Sequence, residues 1–205
     1  MQLKYTSEQN AFRAEVRDWL QTHVPREQFA SHDTKEGFEQ HRQWEATLAD
    51  GGWSSVTWPK DLGGRGCDLI QWLIFEEEYA AADAPFRVNQ NGILLLGPTL
   101  MEFGTAAQKA KFLPRMARCD DMWAQGWSEP NAGSDMAAIS SKAIRDGDHY
   151  VLNGTKQFIT SGKIAGITHI GEPNWWEQGG DMTPEDFGLM RAQDHVVIDV
   201  LANDT

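Results

Sequence analysis

Cysteine is scarce in this sequence: Cys67 and Cys119 are the only two among 205 residues. They show neither a C-x-x-C spacing nor the density of a disulfide scaffold, so a reducing, cytoplasmic setting fits best. No apolar core follows the N-terminal Met-Gln-Leu-Lys, and no apolar run approaches the roughly 20 residues of a membrane-spanning helix. The longest apolar cluster, residues 93–101, contains Gly97 and Pro98 and reads as buried helix. Basic residues are few as well. Eighteen Lys and Arg stand against thirty Asp and Glu, a formal net charge of −12, which disfavours nucleic acid and anionic membranes as partners. Neither G-x-G-x-x-G nor G-x-x-x-x-G-K-[ST] occurs. Gly63-Gly64-Arg65-Gly66, with no strand pattern leading into it, therefore reads as a compact turn between helices and not as a phosphate loop.

What is present is a globular composition: 40% hydrophobic residues and nine Trp, in a chain long enough for one large domain or two small ones. Phe12, Val16, Trp19 and Leu20 repeat at helical spacing behind Ser7, a candidate N-cap, and Pro25 closes that helix. Phe38, His41, Trp44 and Leu48 mark a second helix over residues 36–50 that stops at Gly51-Gly52. His41 reads as partner-satisfied packing with no ligand role. Residues 70–82 form a third helix whose run Glu76-Glu77-Glu78 is expected on a solvated side. Residues 91–103 continue as an apolar helix that Pro98 kinks or divides, and Thr105 caps a helix over 106–113 that Pro114 breaks.

After residue 121 the period changes. Residues 122–135, M-W-A-Q-G-W-S-E-P-N-A-G-S-D, hold two glycines, a proline and short polar side chains, the composition of a bent loop with exposed backbone N–H groups. Residues 142–145, 149–152 and 156–159 are β-compatible runs separated by Asp146-Gly147-Asp148 and by Asn153-Gly154, which is expected to be a hairpin tip. The fold class is α+β: an N-terminal all-α helical domain (1–121) followed by a partial antiparallel β domain (122–165). A tail over 166–205 has no assigned structure, apart from a helix start at Thr183-Pro184 and a possible strand over 195–201. Its ligand-capable His169, Glu172, His195 and Asp199 show no recognised metal spacing.

The loop Q-G-W-S-E-P-N-A-G-S-D (residues 125–135) resembles the signature of the acyl-CoA dehydrogenases, flavoenzymes that desaturate acyl-CoA thioesters. Companion segments occur in the right order: G-W-S-S-V-T-W-P-K-D-L-G-G-R-G (52–66), I-F-E-E-E-Y-A (74–80), G-T-A-A-Q-K-A-K-F-L-P (104–114) and D-G-D-H-Y-V-L-N-G-T-K-Q-F-I-T-S-G (146–162). The resemblance covers residues 6–165. It implies an oxidoreductase acting on CH–CH groups, with FAD as cofactor, an acyl-CoA thioester as substrate and a homo- or hetero-oligomeric assembly. It also implies a cofactor-binding set: Gln125, Gly126, Trp127 and Ser128 along the flavin's pyrimidine edge, and Gly133 and Ser134 near the pyrophosphate. Phe158, Ile159 and Thr160 complete the set, with Phe158 against the ring and Thr160 near flavin N5; Ser134 also approaches the CoA substrate. The family often has Thr where Ser128 stands and Trp where Phe158 stands, replacements that keep the chemistry. Its catalytic glutamate lies in a C-terminal helical domain that the resemblance does not reach, so no catalytic residue is assigned. Glu129 is expected to fix the turn or bond backbone. The expectation is a truncated chain, inactive alone; the alternative is a non-catalytic binding or interaction subunit built on the same half-fold.

Overall fold

The computed structural model describes residues 4–146 and 149–157. Five α-helices come first: α1 (Ser7–His23), α2 (Lys35–Asp50), α3 (Leu69–Ala81), α4 (Gly97–Phe103) and α5 (Ala106–Ala117). A π-helical stretch, Asn91–Leu96, runs directly into α4. Their starts are encoded locally. Thr6, Asp68 and Thr105 each accept a bond from the amide three residues on, and the Oε1 atoms of Gln9, Gln71 and Gln108 accept one from the cap N–H in return, forming three capping boxes. Thr6 therefore caps α1 in place of Ser7, because only Thr6 has a glutamine at the third helical position.

Three helix ends share one device as well. After α2, α3 and α5 the chain turns through Gly52 (φ +72°), Asp83 (φ +49°) and Cys119 (φ +57°). In each case paired amide-to-carbonyl bonds, such as Asp120 N–H to Arg115 O and Cys119 N–H to Met116 O, satisfy the last turn.

The core forms in adjoining clusters. Phe12, Val16 and Leu20 of α1 meet Trp44 and Leu48 of α2, Ile74, Phe75 and Tyr79 of α3, and Trp53 and Val56 between them. Ile93, Leu100, Leu113 and Met116 gather around Trp58 and Trp123. Phe38, Val88, Cys119 and Met122 close the gap beside α2. Gly63-Gly64-Arg65-Gly66 is the compact turn expected: a Cβ on Gly64 would lie 2.0 Å from Trp58 O, and Arg65 stacks 3.7 Å over Trp53. His41 is buried, its Nδ1 2.6 Å from Gly37 O and its ring edge-on to Phe29.

Several expectations are corrected. Glu78 is buried, not solvated: Arg13 donates to its Oε1 at 2.7 Å, and Arg17 to both oxygens at 2.8 and 2.9 Å, tying α1 to α3. Residues 93–101 are only partly buried, since Leu94 and Leu95 remain 43% and 50% exposed beside buried Ile93 and Leu100. Pro98, by contrast, divides the stretch as expected: the π-helical part ends at Leu96 and Pro98 sits in the first turn of α4, where its missing N–H costs little. Pro114 does not break α5, which continues to Ala117. Buried Leu113 and Met116 on either side of it, with Asn89 Nδ2 donating to Met116 O at 2.7 Å, hold the last turn against the penalty of roughly 3 kcal/mol for an interior proline.

Beyond the helices, β1 (Lys142–Asp146) and β2 (His149–Asn153) pair antiparallel, with Lys142 opposite Asn153 and Asp146 opposite His149. They are the only two strands among the described residues. Asp146 pairs with His149, so the Asp146-Gly147-Asp148 signal stands between the two strands in the sequence. Asn153-Gly154 does not form the expected hairpin tip. Gly154 has no positive φ, and residues 154–157 carry no strand pairing. Glycine is needed there for close approach instead, because a Cβ would lie 2.9 Å from Ser141 Cα and nearer still to its side chain. Residues 158–159 of the third expected strand, and everything expected over 160–205, lie outside the described residues.

Two outcomes test this frame. Glu45 is fully buried and bonded by Arg87 Nε at 2.8 Å; Arg87→Met should lower unfolding free energy by about 3–5 kcal/mol in urea titration, because it strands a buried charge. Hydrogen bonds from Arg17 and then Arg13 hold Glu78 below the usual glutamate range. A carboxyl so lowered binds fewer protons folded than unfolded, so its stabilisation is complete above the usual range, about pH 4.3, and is lost as pH falls through the folded value. Glu78→Gln should melt lower than the parent at neutral pH, and its melting temperature should fall less steeply on acidification.

Candidate functional site

The loop over 122–135 is rooted in the helical domain through a buried asparagine. Asn89 Nδ2 donates to Met116 O at 2.7 Å and Asp121 O at 3.3 Å, while its Oδ1 accepts from Trp123 N at 3.2 Å. Arg115, on the last turn of α5, grips both carboxylate oxygens of Asp121. Met122 and Trp123 are buried beside this anchor. The loop therefore leaves a rigid base.

Its centre is a tight turn. Glu129 N donates to Ala132 O at 2.8 Å and Ala132 N to Glu129 O at 3.0 Å, leaving Pro130 and Asn131 at the tip. The Glu129 carboxylate points inward, 4% exposed, and accepts from Ser140 N (2.8 Å), Ser140 Oγ (2.7 Å), Ser141 N (3.0 Å) and Lys156 Nζ (2.9 Å). Ser141, Ser140 and Lys156 together hold that carboxyl far below the usual glutamate range. Lys156 Nζ also donates to Trp127 O at 3.1 Å. Gln157 completes the join, its backbone N–H donating to Ser128 O at 2.9 Å and its side chain to Glu129 O at 3.0 Å.

The outer side of the loop is open. Trp127 is 54% exposed, Gly133 and Ser134 are exposed, and Gln125, Gly126 and Ser128 are half-buried. No atom lies within 4 Å of where a Cβ on Gly133 would sit, and at Gly126 the nearest is Lys156 Cγ at 3.9 Å. Six of the nine expected cofactor contacts thus lie exposed or half-buried on this one loop; Phe158, Ile159 and Thr160 lie outside the described residues. The donor set suits a flavin dinucleotide: exposed backbone and hydroxyls, an aromatic surface, and small residues where a phosphate could come close. Sequence reasoning singled out Glu129 as a turn-fixing residue but missed Asn89, Ser140, Ser141, Lys156 and Gln157. Only the closeness of Lys156 and Gln157 to Phe158 could have pointed to them. No group of three metal-capable side chains exists among the described residues, and none of their helices is long and apolar enough to cross a membrane.

A capped helical domain thus leads through a bent, partly exposed loop into a pair of antiparallel strands. Residues 6–120 match the family model for the acyl-CoA dehydrogenase N-terminal domain, and residues 124–171 match that for the middle domain. The chain belongs to the acyl-CoA dehydrogenase family, whose members are FAD-dependent oxidoreductases acting on CH–CH groups. It is 45% identical over 151 residues to the acyl-CoA dehydrogenase IpdE1 of Mycobacterium tuberculosis, a match covering 71% of this chain and 39% of that protein. Among solved structures it resembles the ChsE4-ChsE5 complex from Mycobacterium tuberculosis, at 38% identity and a TM-score of 0.60, over 76% of this chain and 39% of that one. It also resembles a glutaryl-CoA dehydrogenase from Mycobacterium smegmatis in complex with FADH2, at 26% identity and a TM-score of 0.58, over 80% and 42%. The chain thus spans about two fifths of the length of these relatives.

The close approach of Gly154 to Ser141 gives a direct test of the loop's support. Gly154→Ala forces the Ser141 backbone away from Glu129 and should cost about 1–3 kcal/mol where that overpacking is felt. Thermal melting should register the loss.

Proposed function

We propose that this chain forms the flavin-facing N-terminal half of an FAD-dependent acyl-CoA dehydrogenase, and that it does not catalyse the reaction alone. The observation that carries the reading is the exposure of Trp127, Gly133 and Ser134 on a loop whose reverse side is fixed by Glu129, Lys156 and Gln157. A site held from behind and open in front is preorganised for a ligand. The domain division is a helical part over 1–121, the start of a β domain over 122–165, and a divergent tail over 166–205.

In this reading the Trp127 backbone and the Ser128 hydroxyl bond the flavin's pyrimidine edge, beside Gln125 and Gly126. Gly133 and Ser134 approach the pyrophosphate, and Ser134 also meets the CoA thioester. Phe158, Ile159 and Thr160 line the ring. FAD, when bound, supplies the hydride acceptor for desaturation between the α and β carbons of the acyl group. The reaction also needs a carboxylate to take the α proton, and the signature's only glutamate cannot serve. Glu129 is turned inward and engaged by two serines and a lysine, which leaves it a poor base. The base and the wall that excludes water come from outside these residues, as does the partner surface of a homo- or hetero-oligomer. The two unpaired thiols, Cys67 and Cys119, suit a cytoplasmic setting.

The decisive experiment is anaerobic mixing of the purified chain, FAD and a panel of short, long and ring-bearing acyl-CoAs, following the flavin's visible band. Binding of FAD without rapid substrate-dependent bleaching is expected, since a positioned general base alone contributes about 10²- to 10⁴-fold. Rapid bleaching that is lost in Ser134→Ala would overturn the claim of inactivity and place a catalytic carboxylate within the 205 residues.

A further inference from the structure

We propose that Glu129 and Lys156 act as a positioning pair, which sets the backbone of Trp127 and Ser128 against the segment that enters Phe158; the functional part of this proposal rests on the flavin reading above. Lys156 Nζ reaches two acceptors at once, Trp127 O at 3.1 Å and Glu129 Oε1 at 2.9 Å. Its side chain is 19% exposed and that of Glu129 4%. A single ammonium group therefore binds the flavin-facing stretch of the loop and the carboxylate at the base of the turn. The same carboxylate also holds Ser140 and Ser141, the residues leading into β1.

Three segments converge on these two charges: the loop over 125–134, the approach to β1, and the stretch after β2. Next to the pair, Gln157 N donates to Ser128 O and Gln157 Nε2 to Glu129 O. Phe158 follows Gln157 directly in the sequence. The clamp thus fixes Gln157, the last described residue before Phe158, relative to Ser128. Both charged groups are largely buried and already engaged by protein partners. Their effect is exerted through Trp127 O and through the Ser128–Gln157 bond. Taking away the ammonium leaves Trp127 O without this donor and Glu129 without its counter-charge, and among the described residues the two segments are then joined by the hydrogen bonds of Gln157.

The test uses the full chain in four forms: the parent, Lys156→Met, Lys156→Arg and Glu129→Gln. Amide hydrogen exchange is read without flavin at Ser140, Ser141 and Gln157 against amides of α1 and α3, and FAD affinity is read separately by equilibrium titration. In Lys156→Met and Glu129→Gln, exchange at the three loop amides should accelerate about tenfold or more while the helical amides are unchanged. The Kd for FAD should rise by a similar factor, and Lys156→Arg should recover part of both effects. Unchanged protection of Gln157 in both variants overturns the pair's role. So does unchanged FAD affinity where the parent binds. If the parent binds no FAD, the flavin reading fails, and the exchange measurements alone still decide whether the pair positions the loop. Should Lys156→Met fail to fold, Glu129→Gln carries the same comparison.

Discussion

Glu45 places a negative charge where no water reaches, and much of the fold is arranged around answering it. Arg87 meets one carboxylate oxygen and spends its other arm on Ser54 O, while the Asn89 amide meets the second oxygen. Asn89 then passes the constraint on, its side chain holding the end of α5 and the first residues of the loop. One acidic group on α2 thereby fixes the 87–89 connection and, through it, the root of the candidate site. Buried ion pairs are often near neutral for stability when compared with apolar packing. An apolar cluster, however, would not dictate which backbone groups must face it, whereas a carboxylate and an amide side chain do.

The same logic recurs at two other places. Glu78 makes α1 and α3 a unit by drawing Arg13 and Arg17 across the gap, and Glu129 makes the loop, the approach to β1 and the exit from β2 a unit. Three glutamates out of thirty acidic residues thus set how the pieces meet, although the formal charge of −12 suggests a merely acidic surface. Hydrophobic burial gives the helices their reason to pack, and these three carboxylates select the register.

Legibility in the sequence followed the range of the interactions. Helix starts and stops depend on neighbours three or four residues away, so α1, α2 and α3 could be read to within a residue or so from apolar spacing, caps and the Gly51-Gly52 stop. Errors arose where a distant partner decided. Pro114 looks like a breaker until Asn89, twenty-five positions earlier, is seen bonding the following turn. Glu78 looks solvated until α1 supplies two arginines. Asn153-Gly154 looks like a hairpin tip by local chemistry, but its glycine answers to Ser141 on the opposite strand's approach. The site divides in the same way. Its loop was legible as a motif, Gln125 to Ser128 together with Gly133 and Ser134, because those residues are contiguous. The groups that hold the loop in place, Asn89, Ser140, Ser141, Lys156 and Gln157, come from elsewhere in the chain and left no periodic signal.

Cys119 stands in the left-handed turn that ends α5, a place that glycine usually fills, and it is buried with its carbonyl held by Arg42. Burial pushes its thiol well above the ordinary cysteine range, with the charge of Glu45 adding to the effect. Cys67, half-buried, is less enclosed. An alkylating reagent attacks only a thiolate it can reach, so Cys119 stays silent for as long as the turn that ends α5 keeps its packing. Modification at Cys119 would then report local unfolding of that turn. For that event the chain carries its own reporter, a single sulfur atom that requires no added label.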